Sequence, residues 1–278
     1  MRNSPLYRFV LAAKKEGLFK ALQKTYGWIF HKLGVRRRDP IYARRLKISN
    51  KLSEMYDSTV VNGPFRGFKI PRESWWGAAD RGSMLLGLYE KEILESLAST
   101  PKQYSQFIDL GAADGYYGVG VLVSELFQKS VCYEMSKQGR EAILRSARLN
   151  DVSDNIDIRG LATQKFYEDF SQESLSNSVL FIDIEGAEFD LLDEKMFNAF
   201  SNSIIYVELH DWFFVDGDQK LSKLKLNSIK THTITELKMG SRDPSAFPDL
   251  REFNDDDRWL ICSEGRGQLM TWLRFNPI

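Results

Sequence analysis

The chain has 278 residues and a formal net charge of zero, with 38 Lys and Arg against 38 Asp and Glu. That length builds one large domain with an appendage or two small domains, and the apolar content is ordinary for a globular core. Two cysteines do not make a disulfide framework, and no apolar run approaches the ~18 residues that a membrane helix needs.

The first fifty residues carry thirteen Lys and Arg against two acids, Glu16 and Asp39. The rest of the chain is correspondingly acidic. Residues 5–34 read as helical, with Leu11, Leu18, Leu22, Ile29 and Leu33 at heptad-like spacing, and Arg36-Arg37-Arg38-Asp39-Pro40 ends the segment. Such a basic stretch suits an anionic membrane surface, a second copy of the chain, or a solvated helix face. Nucleic acid is not expected, because no basic–aromatic interleaving accompanies the charge. The opening MRNSPLYRFVLAAKKEG has too short an apolar core for a signal peptide, so a cytoplasmic protein, peripheral to a membrane at most, is expected.

Residues 40–82 read as a mixed connector, containing GPFRGFKIP and SWWGAADRG. A helix is expected over 84–97. From residue 105, short β-branched runs alternate with helical patterns. The strands are expected at 105–110, 130–135, 155–160, 178–184 and 203–210, and the helices at 115–127, 137–149 and 186–199. This alternation predicts an α/β fold with a doubly wound, mostly parallel sheet. A helix over 218–229 follows. Two late strands, in THTITELKMG and in DRWLICSEGRGQLMTWL, would close a seven-stranded sheet with an antiparallel edge. Both cysteines, Cys132 and Cys262, fall in strand-like runs and read as buried, inert thiols. The expected division is a basic N-terminal extension with connector, 1–82, and a catalytic domain, 83–278.

In such a sheet, ligands bind beyond the carboxyl ends of the strands at the switch point. The first strand runs into Asp109-Leu110-Gly111-Ala112-Ala113-Asp114-Gly115-Tyr116. Small residues let the backbone approach a ligand, and the following helix offers free N–H groups. A dinucleotide site wants G-x-G-x-x-G, and here the middle glycine is missing. Asp109 and Asp114 would repel a pyrophosphate and suit a ligand with an ammonium and a sulfonium. Glu134, at the tip of the second strand before Met135, can accept hydrogen bonds from ribose hydroxyls in either class of ligand.

The fourth strand runs straight into acids: FIDIEGAEFD, 181–190. Asp183 is placed at its carboxyl end, with Glu185 beside it. Glu188 and Asp190 suit the positive end of the next helix.

These motifs resemble the FkbM-type family of class I S-adenosylmethionine-dependent methyltransferases. The resemblance rests on Asp109 to Tyr117, Leu149-Asn150, Phe181 to Glu188 and Glu208-Leu209-His210, within residues 104–215. Ala113-Asp114 departs from the family's usual Asn, and Phe181 from its usual Lys. The resemblance implies a Rossmann-like seven-stranded fold, S-adenosylmethionine as cofactor, and methyl transfer to a hydroxyl of a sugar, glycan or glycan precursor. The expected cofactor contacts are Asp109, Gly111, Ala112, Ala113, Asp114, Gly115, Tyr116, Glu134, Met135 and Asp183. His210 and Asp183 are the expected catalytic residues, with the imidazole as the best general-base candidate because it titrates near working pH. Trp75, Trp76, Arg81 and Glu185 are candidate acceptor contacts, since sugar faces stack on tryptophan. Asp183, Glu185, Glu208, His210 and Asp211 could supply ligands for Mg²⁺, with Asp183, Glu208 and His210 as the core set. The alternative is a scaffold with the methyltransferase fold and no catalysis.

Overall fold

The computed structural model describes residues 40–266 and 269–278; the helix expected over 5–34 lies outside them. The chain divides into two compact units, Met1–Ala43 and Arg44–Ile278. The second unit is built on a seven-stranded sheet, as the alternating pattern predicts. Its strands are β1 Gln106–Leu110, β2 Lys129–Tyr133, β3 Ile156–Arg159, β4 Ser178–Ile182, β5 Ile204–Glu208, β6 His232–Lys238 and β7 Thr271–Pro277. The order across the sheet is β3-β2-β1-β4-β5-β7-β6. β1 pairs in parallel with both β2 and β4, so the winding reverses between them and opens the switch-point crevice there. Among the described residues, no helix is long and apolar enough to cross a membrane.

The strands alternate between two cores because successive side chains point to opposite faces. Phe107, Phe181, Tyr206 and Trp272 face one layer, and Ile108, Leu180, Ile205 and Leu273 the other. Phe181, where the resembled family has Lys, is sandwiched between Tyr117 and Trp272, with ring centroids 4.3 and 4.6 Å away. An ammonium could not occupy that apolar slot without large desolvation cost.

Four expectations are corrected. The connector does not stand apart from the sheet domain: Val60, Phe65 and Phe68 are buried in the first core. The helix expected over 84–97 is two helices, α1 Arg81–Leu85 and α2 Lys91–Ala98, broken where Gly87 (φ 67°) and Glu90 (φ 47°) turn left-handed. The helix expected over 186–199 is likewise split, into α3 Glu188–Leu191 and α4 Glu194–Ala199, the latter capped by Asp193. The run containing Cys262 is a helix, α5 Asp255–Cys262, and not a strand. Its first-turn acids Asp255, Asp256 and Asp257 and its Asn254 cap favour a helix start, which overrides the strand preference of WLIC. The antiparallel strand is β7 alone, and it lies inside the sheet between β5 and β6.

Candidate functional site

The acids of the crevice follow from strand periodicity. Phe107, Phe181 and Tyr206 fill the first core, and two residues further along each strand stand Asp109, Asp183 and Glu208. The same inward positions are therefore apolar below and carboxylate at the strand ends. Register brings Ile182 opposite Val207, and one further step sets Asp183 beside Glu208.

On the β1–β2 side is a cavity of about 550 Å³. Gly111 and Ala113 form its floor, Tyr133, Glu134 and Met135 one wall, and Asp183, Ile184 and Glu185 the opposite one. Leu161 and Ala162, just past β3, add an apolar surface, and Trp75 and Trp76 stand at the mouth. Gly111 (φ 89°) has to be glycine, because a Cβ there would lie 1.8 Å from the Asp183 carbonyl oxygen. The loop's amides are already committed. Gly111 and Ala112 donate to the Tyr133 carbonyl (3.0 and 3.1 Å), and Gly115 donates to that of Ala112 (2.8 Å). Ala113 N–H goes to Glu134 Oε2 (3.0 Å), while Glu134 Oε1 accepts Ser136 N–H at 2.6 Å. Glu134 is thereby held rigid with lone pairs to spare.

Beyond β4 and β5 lies a cluster of carboxylates around one imidazole. His210 is 3 % exposed, and its Nε2 faces Glu208 Oε2 (3.5 Å), Glu185 Oε2 (3.7 Å) and Asp183 Oδ1 (3.8 Å). On the other side, Nδ1 lies 3.3 Å from Oε1 of the fully buried Glu188. Glu188 also accepts the backbone N–H groups of His210 (2.9 Å) and Gly186 (2.7 Å). The ring stacks on Phe213 at 5.4 Å and 11°. Arg266 bridges Glu208 and Glu90, and Tyr117 donates to Glu90 at 2.5 Å.

Burial dominates the protonation of these acids. It raises Asp183 to about 7, against a lowering contact with Glu208, and Glu208 to about 8, with the Asp183 charge adding to the rise. Burial also raises Glu90 to about 8, with Arg266 opposing, and Asp109 to about 8, with the Gly118 amide opposing. For His210, burial works downward, but Glu188, Glu208 and Glu185 outweigh it and raise the ring above its ordinary value.

Of the expected cofactor residues, Gly111, Ala113, Glu134, Met135 and Asp183 line the cavity, as do Trp75, Trp76 and Glu185 of the acceptor set. The others do not. Asp109 is buried beneath the helix that follows the loop and takes the Gly118 amide. Ala112 is buried, and Gly115 (φ 88°) makes the turn into that helix. Tyr116 packs edge-on against Phe65 and Tyr89 in the first core. Asp114 turns outward to accept from Ser74 Oγ (3.0 Å) and the Trp76 amide, so it ties the tryptophan segment to the loop. Arg81 is buried in the field of Asp114 and does not reach the cavity. Of the expected metal core set, Asp183 and His210 come together with Glu185, while Glu208 is held by Arg266.

Sequence reasoning missed Glu90, Arg266, Leu161 and the buried role of Glu188. Leu161 was accessible as the loop past a third strand end, where ligands bind in this topology. Glu90 and Arg266 carry no motif and meet only through folding. Ala113 sits at φ 49°, a left-handed value that Asn tolerates better than Ala.

No family model matches the chain, and no curated protein matches it. Solved structures do. An uncharacterized protein from Listeria monocytogenes serotype 4b is 12 % identical with a TM-score of 0.44, covering 68 % of this chain and 67 % of its own. TYW2 from M. jannaschii, solved with AdoMet, is 12 % identical with a TM-score of 0.43, covering 69 % and 77 %. A protein of the NADB-Rossmann superfamily from Streptococcus agalactiae is 13 % identical with a TM-score of 0.43, covering 67 % and 68 %.

Proposed function

We propose that the chain is an S-adenosylmethionine-dependent methyltransferase acting on a hydroxyl of a sugar, glycan or glycan precursor. The observation that carries this reading is the occupied loop. A pyrophosphate needs free amides at the glycine turn, and here Gly111, Ala112, Ala113 and Gly115 all spend theirs internally. What remains open to a ligand is the Glu134 carboxylate and the apolar walls, which suit a ribose diol and a purine without phosphates.

The fit is residue by residue. Glu134 accepts from the ribose hydroxyls, while Met135, Leu161 and Ala162 flank the base. Asp183, at the switch point, faces the cationic end of the cofactor. The bound cofactor supplies a methyl made electrophilic by its sulfonium. The chain's own task is to align an acceptor oxygen in line with it and to manage one proton. Trp75 and Trp76, 37 % and 53 % exposed, offer flat faces for a sugar ring at the mouth. The carboxylate–imidazole cluster of Asp183, Glu185, Glu208 and His210 takes the acceptor hydroxyl at the other end.

Calorimetry with S-adenosylmethionine on the wild type and on Glu134→Ala tests the reading. Micromolar binding, weakened in the variant, is expected, followed by labelled-methyl transfer to a panel of sugars. A folded wild type that binds NAD and not S-adenosylmethionine would overturn it.

A further inference from the structure

The geometry points to a divalent-cation site formed by Asp183, Glu185 and His210, in which the ion holds the acceptor's hydroxyl. It deepens the methyl-transfer reading by naming how the acceptor is gripped, and it rests on that reading only for the ion's purpose.

The first observation is the arrangement of donors. One ligand atom from each of Asp183, Glu185 and His210 lies within 4.8 Å of the others. His210 Nε2 stands 3.7 Å from Glu185 Oε2 and 3.8 Å from Asp183 Oδ1. Those separations are too long for a hydrogen bond. A shared ion with bonds of about 2.1 Å keeps neighbouring donors roughly 3.0–3.4 Å apart, so the carboxylates must draw in by under about 1 Å toward Nε2 and by up to about 1.8 Å toward each other, a movement that the exposed Glu185 side chain is free to make.

The second observation is independent of the acids. His210 is a polar side chain 97 % out of solvent, and its Nε2 is aimed at the carboxylates without a close hydrogen bond among the described residues, the nearest oxygen being Glu208 Oε2 at 3.5 Å. Asp183 Oδ1 is buried without a hydrogen-bond partner as well. The far side of the ring shows what a metal-binding histidine needs: Glu188, wholly buried, lies against Nδ1 at 3.3 Å, which favours the proton there and leaves the Nε2 lone pair toward the cluster. Phe213, stacked on the ring, fixes its plane.

Charge points the same way. Arg266 makes its ion pairs with Glu90, Glu208 and Glu264, and none with Asp183 or Glu185, whose ion-pair contacts among the described residues are with the His210 ring. Asp183 and Glu185 both line the cavity, which gives an ion there open positions facing the proposed acceptor. One imidazole with two carboxylates favours Mn²⁺, Fe²⁺, Co²⁺ or Zn²⁺ over the all-oxygen sites that Mg²⁺ and Ca²⁺ prefer. With the ion in place His210 is a ligand, and a hydroxyl on the ion loses its proton to water at a lower pH than a free alcohol does.

The test is titration of the EDTA-stripped, tag-free chain with Mn²⁺ alone, followed by loss of the free-ion EPR signal, and with Co²⁺ by its visible absorption. One equivalent is expected to bind, with affinity reduced at least ~10-fold in Glu185→Gln and in His210→Gln. Glu185 is exposed, so that variant keeps the test readable if His210→Gln fails to fold. Wild type that binds neither Mn²⁺, Co²⁺ nor Zn²⁺, or Glu185→Gln that binds as wild type does, would overturn the site. S-adenosylmethionine binding to the same stripped protein reports the methyltransferase reading separately, and Glu134→Ala is expected to bind Mn²⁺ unchanged.

Discussion

Glu188 holds His210 from two directions, accepting its backbone N–H at 2.9 Å and standing 3.3 Å from its ring Nδ1. A carboxylate with no exposure at all survives in this interior because backbone amides at Gly186 and His210 replace the water it has lost. It fixes both the loop after β4 and the orientation of the imidazole.

Glu188→Gln tests this relationship. The amide group of Gln can accept at only one of its two ends, so one buried N–H is left facing a donor. A loss of about 1–3 kcal/mol in denaturant unfolding is expected. Because the Glu188 charge helps to hold the His210 proton, the His210 pKa, read by NMR titration, is expected to fall in the variant.

Glu134→Ala is expected to weaken S-adenosylmethionine binding by about 1–3 kcal/mol, the worth of hydrogen bonds to a charged acceptor. Binding isotherms on wild type and variant check this. Glu134→Gln is expected to lie between them, since it retains one acceptor oxygen.

Asp109 makes stability depend on pH in a direction opposite to an ordinary paired carboxylate. Burial raises it to about 8 in the folded chain, against an unfolded value near 4. Between those values the folded state holds a proton that the unfolded state has released. The contribution is therefore complete below pH ~4 and is lost as pH rises through about 8. Thermal melts are expected to show stability falling from pH 6 to pH 9, and the slope is expected to flatten in Asp109→Asn, which keeps the shape without the charge.

Asp114 ties the tryptophan segment to the loop through Ser74 and the Trp76 amide. Asp114→Ala is expected to free Trp75 and Trp76, giving a red-shifted fluorescence and greater acrylamide quenching. Unchanged spectra would mean that the pair is held by Trp75 Nε1 donating to Gln138 at 3.0 Å instead.

Ala113 at φ 49° carries local strain that glycine would not. Ala113→Gly is expected to be neutral or stabilising by up to about 1 kcal/mol, since relief of the left-handed penalty of roughly 1–2 kcal/mol offsets the extra chain entropy. Chemical denaturation measures it. A clear destabilisation would show that the Ala113 methyl packs against something worth more than the strain.

The sequence by itself determined the sheet and its switch point. Short, continuously apolar runs ending in Asp109, Glu134, Asp183 and Glu208 mark buried strands whose carboxyl ends converge on one crevice, because strand length and composition are local properties. Tertiary structure decided which acids face a ligand. Asp109 lies within β1, opposite Phe181 in the register and two residues below Asp183, so the helix after the glycine turn covers it while Asp183, just past the end of β4, opens into the cavity. Glu90, Glu188 and Arg266 were not legible as site residues, because Glu90 and Arg266 pair across 176 positions and Glu188 acts through its burial beneath His210. Local pattern fixes an element and its faces. Only packing fixes which polar groups lose water, and that loss is what gives the crevice its raised carboxyls and its oriented imidazole.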